Sequence, residues 1–439
     1  MDSRTEECPP QIHASDQDAP VDPLGPAAAA HADIRVDGAR MLAVLRGLSD
    51  HGRDPDGGIT RLGFTPEDDA ARQYLRQLAA EAGLLAEVDQ AGNLLVRRRA
   101  AGSERPVLLM GSHIDTVPRG GALDGAYGVA AAFEVLRVLT EHDVPTRYEP
   151  VVVAFANEEG ARFPVPFWGS LALTGQLTDP TAAVDRQGCS LREPLARAGG
   201  DLDAVARAAW APGSVGVYLE IHIEQGPVLE ANHVPIGVVD GIVGRTMVEF
   251  TVHGEQMHAG TTPMEQRCDA LVTAAQLVLA IKGIAKDEKL CAVSTVGILQ
   301  VQPGQTNVVP GLVTMSAEIR DGDMDRLRAA EAALCAEADR IARSCGTRIE
   351  ARTTMRSDAV STAAPVREAI RAAAEQLALP CLPMYSGAGH DAQIVAALAP
   401  VGMIFVPSRR GISHAPQEYT APEDLVTGAD VLLRTALQF

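Results

Sequence analysis

The sequence predicts an α/β fold: a mixed or parallel catalytic sheet flanked by helices, with a smaller α+β sandwich inserted into it. Three observations carry this expectation. Aliphatic and β-branched runs alternate with helix-length amphipathic segments through the first half of the chain. Between about 237 and 353 the order becomes strand, helix, strand, strand, helix, strand, the pattern of a small α+β sandwich. A helix and an apolar strand then return near the end. The chain's 439 residues exceed the size at which one core stays efficient, so two domains are expected.

Residues 1–30 are rich in Pro, Ala and Asp. They lack an apolar run long enough for a signal peptide and read as a disordered tail. The first part of the catalytic domain is placed at 31–236. Thr65 caps a helix over 66–83, with Pro66 in the first turn, Tyr74, Leu75 and Leu78 at helical spacing, and Gly83 closing it. Strands are expected at 93–96, 107–111 and 151–156, with a helix over 128–142. Ligand sites in such β–α–β units form beyond the carboxyl ends of the strands. The second domain, 237–353, holds strands at 245–253, 292–300, 312–320 and 347–353 and helices at 267–285 and 324–344. A helix at 363–378 and a strand at 401–406 complete the first domain over 354–439.

The formal net charge of −19 excludes a phosphate-backbone partner, which draws on clustered Lys and Arg. The seven cysteines are scattered without a C-x-x-C pair and read as reduced thiols of a cytoplasmic protein. No segment is long and apolar enough to span a membrane.

Four segments carry chemistry. GSHIDTVPRGGALDG, residues 111–125, follows an apolar strand and places His113, Asp115 and Asp124 in one loop. An H-x-D pair alone is more often a structural hydrogen-bonded pair, and Asp124 alone reads equally as a turn carboxylate. Glu158 and Glu159 follow the apolar VVVAFAN, where a solvated charge pair is not expected. Their side chains point apart on extended backbone, so one is able to ligate while the other faces substrate. In YLEIHIEQ, Tyr218, Glu220, His222 and Glu224 share one strand face, more polar than a satisfied core histidine needs. His414, in GISH, reads alone as a loop histidine. Together His113, Asp124, Glu159, His222 and His414 form a mixed N/O set suited to Zn²⁺, Mn²⁺, Co²⁺ or Ni²⁺. A bridging Asp with two ligands on each side would hold two ions about 3.5–4 Å apart.

The ordered motifs GSHIDT…GGALDG, NEEGARF…FWGS, EIHIEQGPVLE, HAGTTPM…RCDA, QTNVVPG, EIRD, SGAGHDA and GISHAPQEY resemble the metal-dependent amidohydrolase and carbamoylase branch of the M20 metallopeptidase clan. The resemblance runs from about residue 60 to the C-terminus. It implies two divalent ions on His113, Asp124 (bridging), Glu159, His222 and His414, with Glu158 as general base and Asp115 as a supporting acid that orients His113 through a hydrogen bond. It implies that the second domain is a dimerising lid, whose His258 reaches the active site, in the partner subunit of a homodimer, and stabilises the oxyanion. Asn307 and Arg320 match the family's substrate-carboxylate binders, and Gln225 its contact to substrate amides. Gly387, Ala388 and Gly389 would offer backbone donors, while His390 would either join them or hold the loop. Glu318-Ile319-Arg320 departs from the family's Asp-x-Arg. Glu230 and Glu418 receive no role.

The implied reaction is hydrolysis of a ureido or carbamoyl C–N bond in an N-carbamoyl-L-amino acid or allantoate, small molecules with a carboxylate. ARFPVPFWGS leans toward allantoate. An aminopeptidase or deacylase of the same clan is the enzymatic alternative, and a metal-binding interaction protein without catalysis the non-enzymatic one.

Overall fold

In the computed structural model, which describes residue 31 and residues 33–99 and 105–439, the aliphatic run at 107–110 opens the strand Val107–His113, buried in all but its first residue. The expected tail at 1–30 lies outside the described residues. The chain divides into two compact units, one containing Thr362–Pro383, His390–Phe439 and the chain through Val239, the other Asp240–Ser361 with Met384–Gly389.

The main sheet runs in the order Leu85–Val88, Leu94–Arg97, Glu149–Phe155, Val107–His113, Val215–Ile223, Val401–Val406, Ile236–Ile242. The four middle strands pair parallel, and the outer ones antiparallel. Parallel strands covered on both faces become continuous apolar runs, and 149–155 and 401–406 are buried throughout. The helix Ala126–Glu141 packs almost wholly inside, its Ala130, Ala131 and Ala132 allowing close approach. Helix Pro66–Glu81 starts as its sequence predicts: Thr65 accepts from the Asp68 amide and Pro66 occupies the first turn. The α/β expectation holds, with antiparallel strands added at the edges.

The second unit has an antiparallel sheet in the order Arg348–Ser357, Gly244–His253, Leu312–Asp321, Val293–Gln302. Alternation sends Val248, Phe250 and Val252 to one face, joined by Val313, Met315, Ala317 and Ile319. Helices Ala270–Lys286 and Met324–Cys345 cover that face with Leu277, Ile281, Leu334 and Ile341. Asp323 caps the longer helix and Gly346, at φ 63°, ends it. Strand 348–357 passes residue 353 after a register shift between Thr353 and Met355. At the other edge, 293–302 leaves Val293, Ile298 and Leu299 exposed.

Candidate metal centre

The carboxyl ends of the four parallel strands converge on one polar cluster. His113 is the last residue of its strand and His222 the next to last of 215–223. Glu158 and Glu159 follow 149–155, and His414 follows 401–406. Asp124 ends the loop that enters helix 126–141. Three residues at these turns, Asn157, Gln225 and His414, have φ of 51°, 56° and 55°. Left-handed backbone is uncommon for residues other than Gly, and here it turns the chain sharply at three neighbouring strand ends. Gly125 is required for space as well as for its φ of 64°: a Cβ there would lie 2.4 Å from the His113 ring.

Asp124 sits at the centre. Its Oδ1 lies 3.1 Å from His222 Nε2 and 3.8 Å from His113 Nε2. Its Oδ2 lies 3.0 Å from His414 Nε2, which is in turn 3.4 Å from Glu159 Oε1. Glu158 Oε2 stands 3.6 Å from His113 Nε2. Three overlapping groups (His113, Asp124, His222; Asp124, Glu159, His414; His113, Glu158, Glu159) each bring their donor atoms within 4.8 Å of one another. Both inner imidazoles are fixed through Nδ1, His113 on the Asp115 carbonyl at 2.9 Å and His222 on the Ile223 carbonyl at 2.8 Å. Nδ1–H donation leaves each Nε2 facing Asp124, that of His222 also lying 3.1 Å from the Gly125 amide. All five expected ligands are therefore brought together, and their donor set fits divalent cations of the zinc or manganese type.

The electrostatics follow from burial and crowding. Burial, then Glu159, Asp391 and Asp115, push Glu158 well above the usual carboxylate range. Burial and Asp124 raise Glu159 to about 7. The hydrogen bond with Asp124, outweighing burial, lifts His414 to about 9. Burial alone would raise Asp124, but its bonds with His222 and His414 hold it well below. A cluster of this kind attracts cations, which would relieve the repulsion among its carboxylates.

Asp115 departs from its expected part. Its carboxylate is 3.9 Å from His113 Nδ1, too far for a hydrogen bond. It accepts the amides of Glu158 and Glu159 at 3.1 and 3.2 Å. The ring is oriented by the Asp115 carbonyl, while the carboxylate fixes the two glutamates. Gln225 donates Nε2 to Asp124 Oδ2 at 3.0 Å and to Ser413 Oγ at 3.2 Å, and its buried Oε1 has no partner among the described residues. Glu220, behind His222, accepts from Ser112 Oγ at 2.7 Å and the Ala392 amide at 3.0 Å. His390 is buried with its ring 4.6 Å from that of His222.

The sequence assigns Glu418 no part, yet its carboxylate accepts the Leu123 and Asp124 amides at 2.8 and 3.1 Å and the Ser413 hydroxyl at 2.7 Å. Its one signal was an acidic residue four positions after His414. Glu230 accepts the Arg410 amide at 2.6 Å and steadies the turn before His414.

The remaining expected residues belong to the second unit. His258 pairs with Val308 in a two-residue ladder, and the Ala259 amide donates to the Asn307 carbonyl at 2.9 Å, so His258 and Asn307 are neighbours. His258 Nδ1 accepts the Gly260 amide at 3.1 Å, leaving Nε2 to carry a proton outward. Arg320 donates Nε to Glu318 Oε1 at 2.6 Å and NH1 to the Gly387 carbonyl. The Ala388 amide donates to Ser386 Oγ at 3.2 Å. The Gly387 carbonyl is thus taken by Arg320, which leaves its N–H unaffected, whereas the Ala388 N–H, expected as a donor to substrate, is engaged with Ser386.

Residues 109–438 match the family described as Peptidase family M20/M25/M40. The chain is 40% identical over 406 residues to an N-carbamoyl-L-amino acid amidohydrolase of Geobacillus stearothermophilus, covering 92% of this chain and 98% of that protein. It is 35% identical over 393 residues to an allantoate amidohydrolase of Bacillus subtilis, covering 88% and 93%. The crystal structure of a hydantoinase/carbamoylase family amidase from Burkholderia multivorans superposes with a TM-score of 0.86 at 36% identity, covering 92% of this chain and 98% of that one.

Proposed function

The chain belongs to peptidase family M20/M25/M40, in its hydantoinase/carbamoylase branch, and we infer that it hydrolyses the C–N bond of a ureido or carbamoyl group. The substrates we propose are N-carbamoyl-L-amino acids or allantoate. The observation that carries this reading is Asp124, whose two oxygens face different imidazoles while Glu158 is buried beside them.

His113, Asp124, Glu159, His222 and His414 would hold two divalent ions, Zn²⁺ or Mn²⁺. Such ions supply Lewis acidity and lower the pKa of water. Glu158 takes the proton of the attacking water and returns it to the departing nitrogen; its raised affinity for a proton suits both transfers near neutral pH. Gln225, held by Asp124 and Ser413, points an unpartnered Oε1 that suits a ureido N–H. His258 donates to the oxyanion, and Asn307 and Arg320 take the substrate carboxylate, Arg320 exchanging Glu318 for it.

The second unit serves as lid and dimerisation domain in this reading. Support comes from its apolar edge strand 293–302 and from Val272 and Leu279, 53% and 69% exposed on the neighbouring helix. Its Ile281 carbonyl accepts from Ser294 of that strand. An exposed apolar edge of this kind calls for a partner. The six described cysteines are free thiols, which suits the cytoplasm, and among the described residues no helix is long and apolar enough to cross a membrane.

Ammonia release from allantoate and from a panel of N-carbamoyl-L-amino acids, with Mn²⁺ and Zn²⁺ supplied separately, tests the reading. Turnover is expected on at least one ureido class. Turnover confined to dipeptides or N-acyl amino acids would assign the chain to the peptidase or deacylase side of the family.

A further inference from the structure

We infer that Glu418 is a positioning residue that draws the Ser413 hydroxyl proton to itself and so keeps Asp124 Oδ2 available to a cation. This rests on Asp124 being the shared ligand.

Around Asp124 Oδ2 stand two donors besides His414: Gln225 Nε2 at 3.0 Å and Ser413 Oγ at 3.2 Å. Gln225 has two N–H bonds and reaches two acceptors, Asp124 Oδ2 and Ser413 Oγ. Ser413 has one O–H and reaches two carboxylates, Glu418 Oε2 at 2.7 Å and Asp124 Oδ2 at 3.2 Å. The shorter contact takes the proton. Asp124 Oδ2 then accepts one hydrogen bond from Gln225 and retains a lone pair on the side of His414 and Glu159.

Glu418 cannot turn away from this task. Its Oε1 is fixed by the Leu123 and Asp124 amides, both of which require an acceptor. The carboxylate is 9% exposed, and a Cβ on Gly121 would fall 2.0 Å from its carboxyl carbon. Gly121 therefore opens the space into which Glu418 reaches, across nearly 300 residues of sequence.

Glu418→Gln isolates the effect because it keeps the shape. The two amides demand the oxygen of the new side chain, so its NH₂ must face Ser413 Oγ. Ser413 then accepts from two amides, and its own proton has only Asp124 Oδ2 within reach. That bond occupies the lone pair a cation needs.

The test is Mn²⁺ binding by equilibrium dialysis with metal analysis on the full chain. Wild type is expected to bind two equivalents. Glu418→Gln is expected to weaken one of them by about 10–100-fold, the cost typical of residues that orient ligands, and to leave the other within about twofold. Glu418→Gln combined with Ser413→Ala, which removes the misdirected proton, should recover most of the loss, while Ser413→Ala alone should keep both equivalents. Two equivalents at wild-type affinity in Glu418→Gln, or no recovery in the double variant, would overturn the inference. A wild type that saturates at one equivalent would instead overturn the shared-ligand reading on which it stands.

Discussion

The first unit buries most of the polar residues its proposed chemistry needs, His414 alone being half exposed, whereas the second displays them. His113, Asp124, Glu158 and His222 are all less than a tenth exposed, and each is fixed by backbone or side-chain bonds from neighbouring strands. His258 and Asn307 stand exposed, and Arg320 is half-buried against Glu318. Burial builds a charged cluster that is organised before any ligand arrives. Exposure leaves recognition to be completed by the substrate, at the cost of displacing an internal partner. The two regions should therefore fail differently, the first in metal content and turnover, the second in substrate affinity.

Asp124→Ala is the harshest break of that contrast. It removes the acceptor shared by His222 and His414, and both metal content by elemental analysis and ammonia release should fall to background. Arg320→Ala should retain metal while KM rises roughly 10–100-fold, the worth of a lost charge-assisted hydrogen bond of about 1.5–3 kcal/mol. A fall in kcat alone would place Arg320 outside carboxylate binding.

Protonation offers a gentler probe of the buried region. Without cations, His222 and His414 keep their protons up to about 9 and Glu159 up to about 7. Ligands must lose their protons to bind a cation, so affinity should climb as pH rises toward 9. At pH 7, calorimetry in buffers of different ionisation enthalpy should detect release of between about two and three protons. Leu279→Asp, on the exposed helix of the second unit, should shift a dimer toward monomer in analytical ultracentrifugation and leave metal content unchanged.

How far the sequence reveals each region follows the same divide. The five proposed ligands are legible because strand ends followed by Gly, Pro and paired carboxylates leave a local trace. The carboxylate of Asp115 and all of Glu418 act through bonds to distant backbone amides: Glu418 to Leu123 spans 295 positions, and no periodicity encodes such a contact. Strands Ile236–Ile242 and Cys381–Ser386 escape the pattern because Gly241 and Pro383 interrupt them. Helix Pro422–Ala436 lacks a side-chain cap, and its start is marked only by Pro422 and the acidic first turn of Glu423 and Asp424. In the second unit, alternation in 244–253 and 312–321 makes the sheet plain. The use of Arg320 by Glu318 and Gly387 needs three-dimensional placement.

In the proposed reaction Glu158 acts as base beside a centre held by five other residues. Turnover of Glu158→Gln with its metal content measured tests this most directly. Two equivalents of metal with kcat lowered by about 10²–10⁴-fold is the expected result. Full metal with undiminished turnover would contradict it.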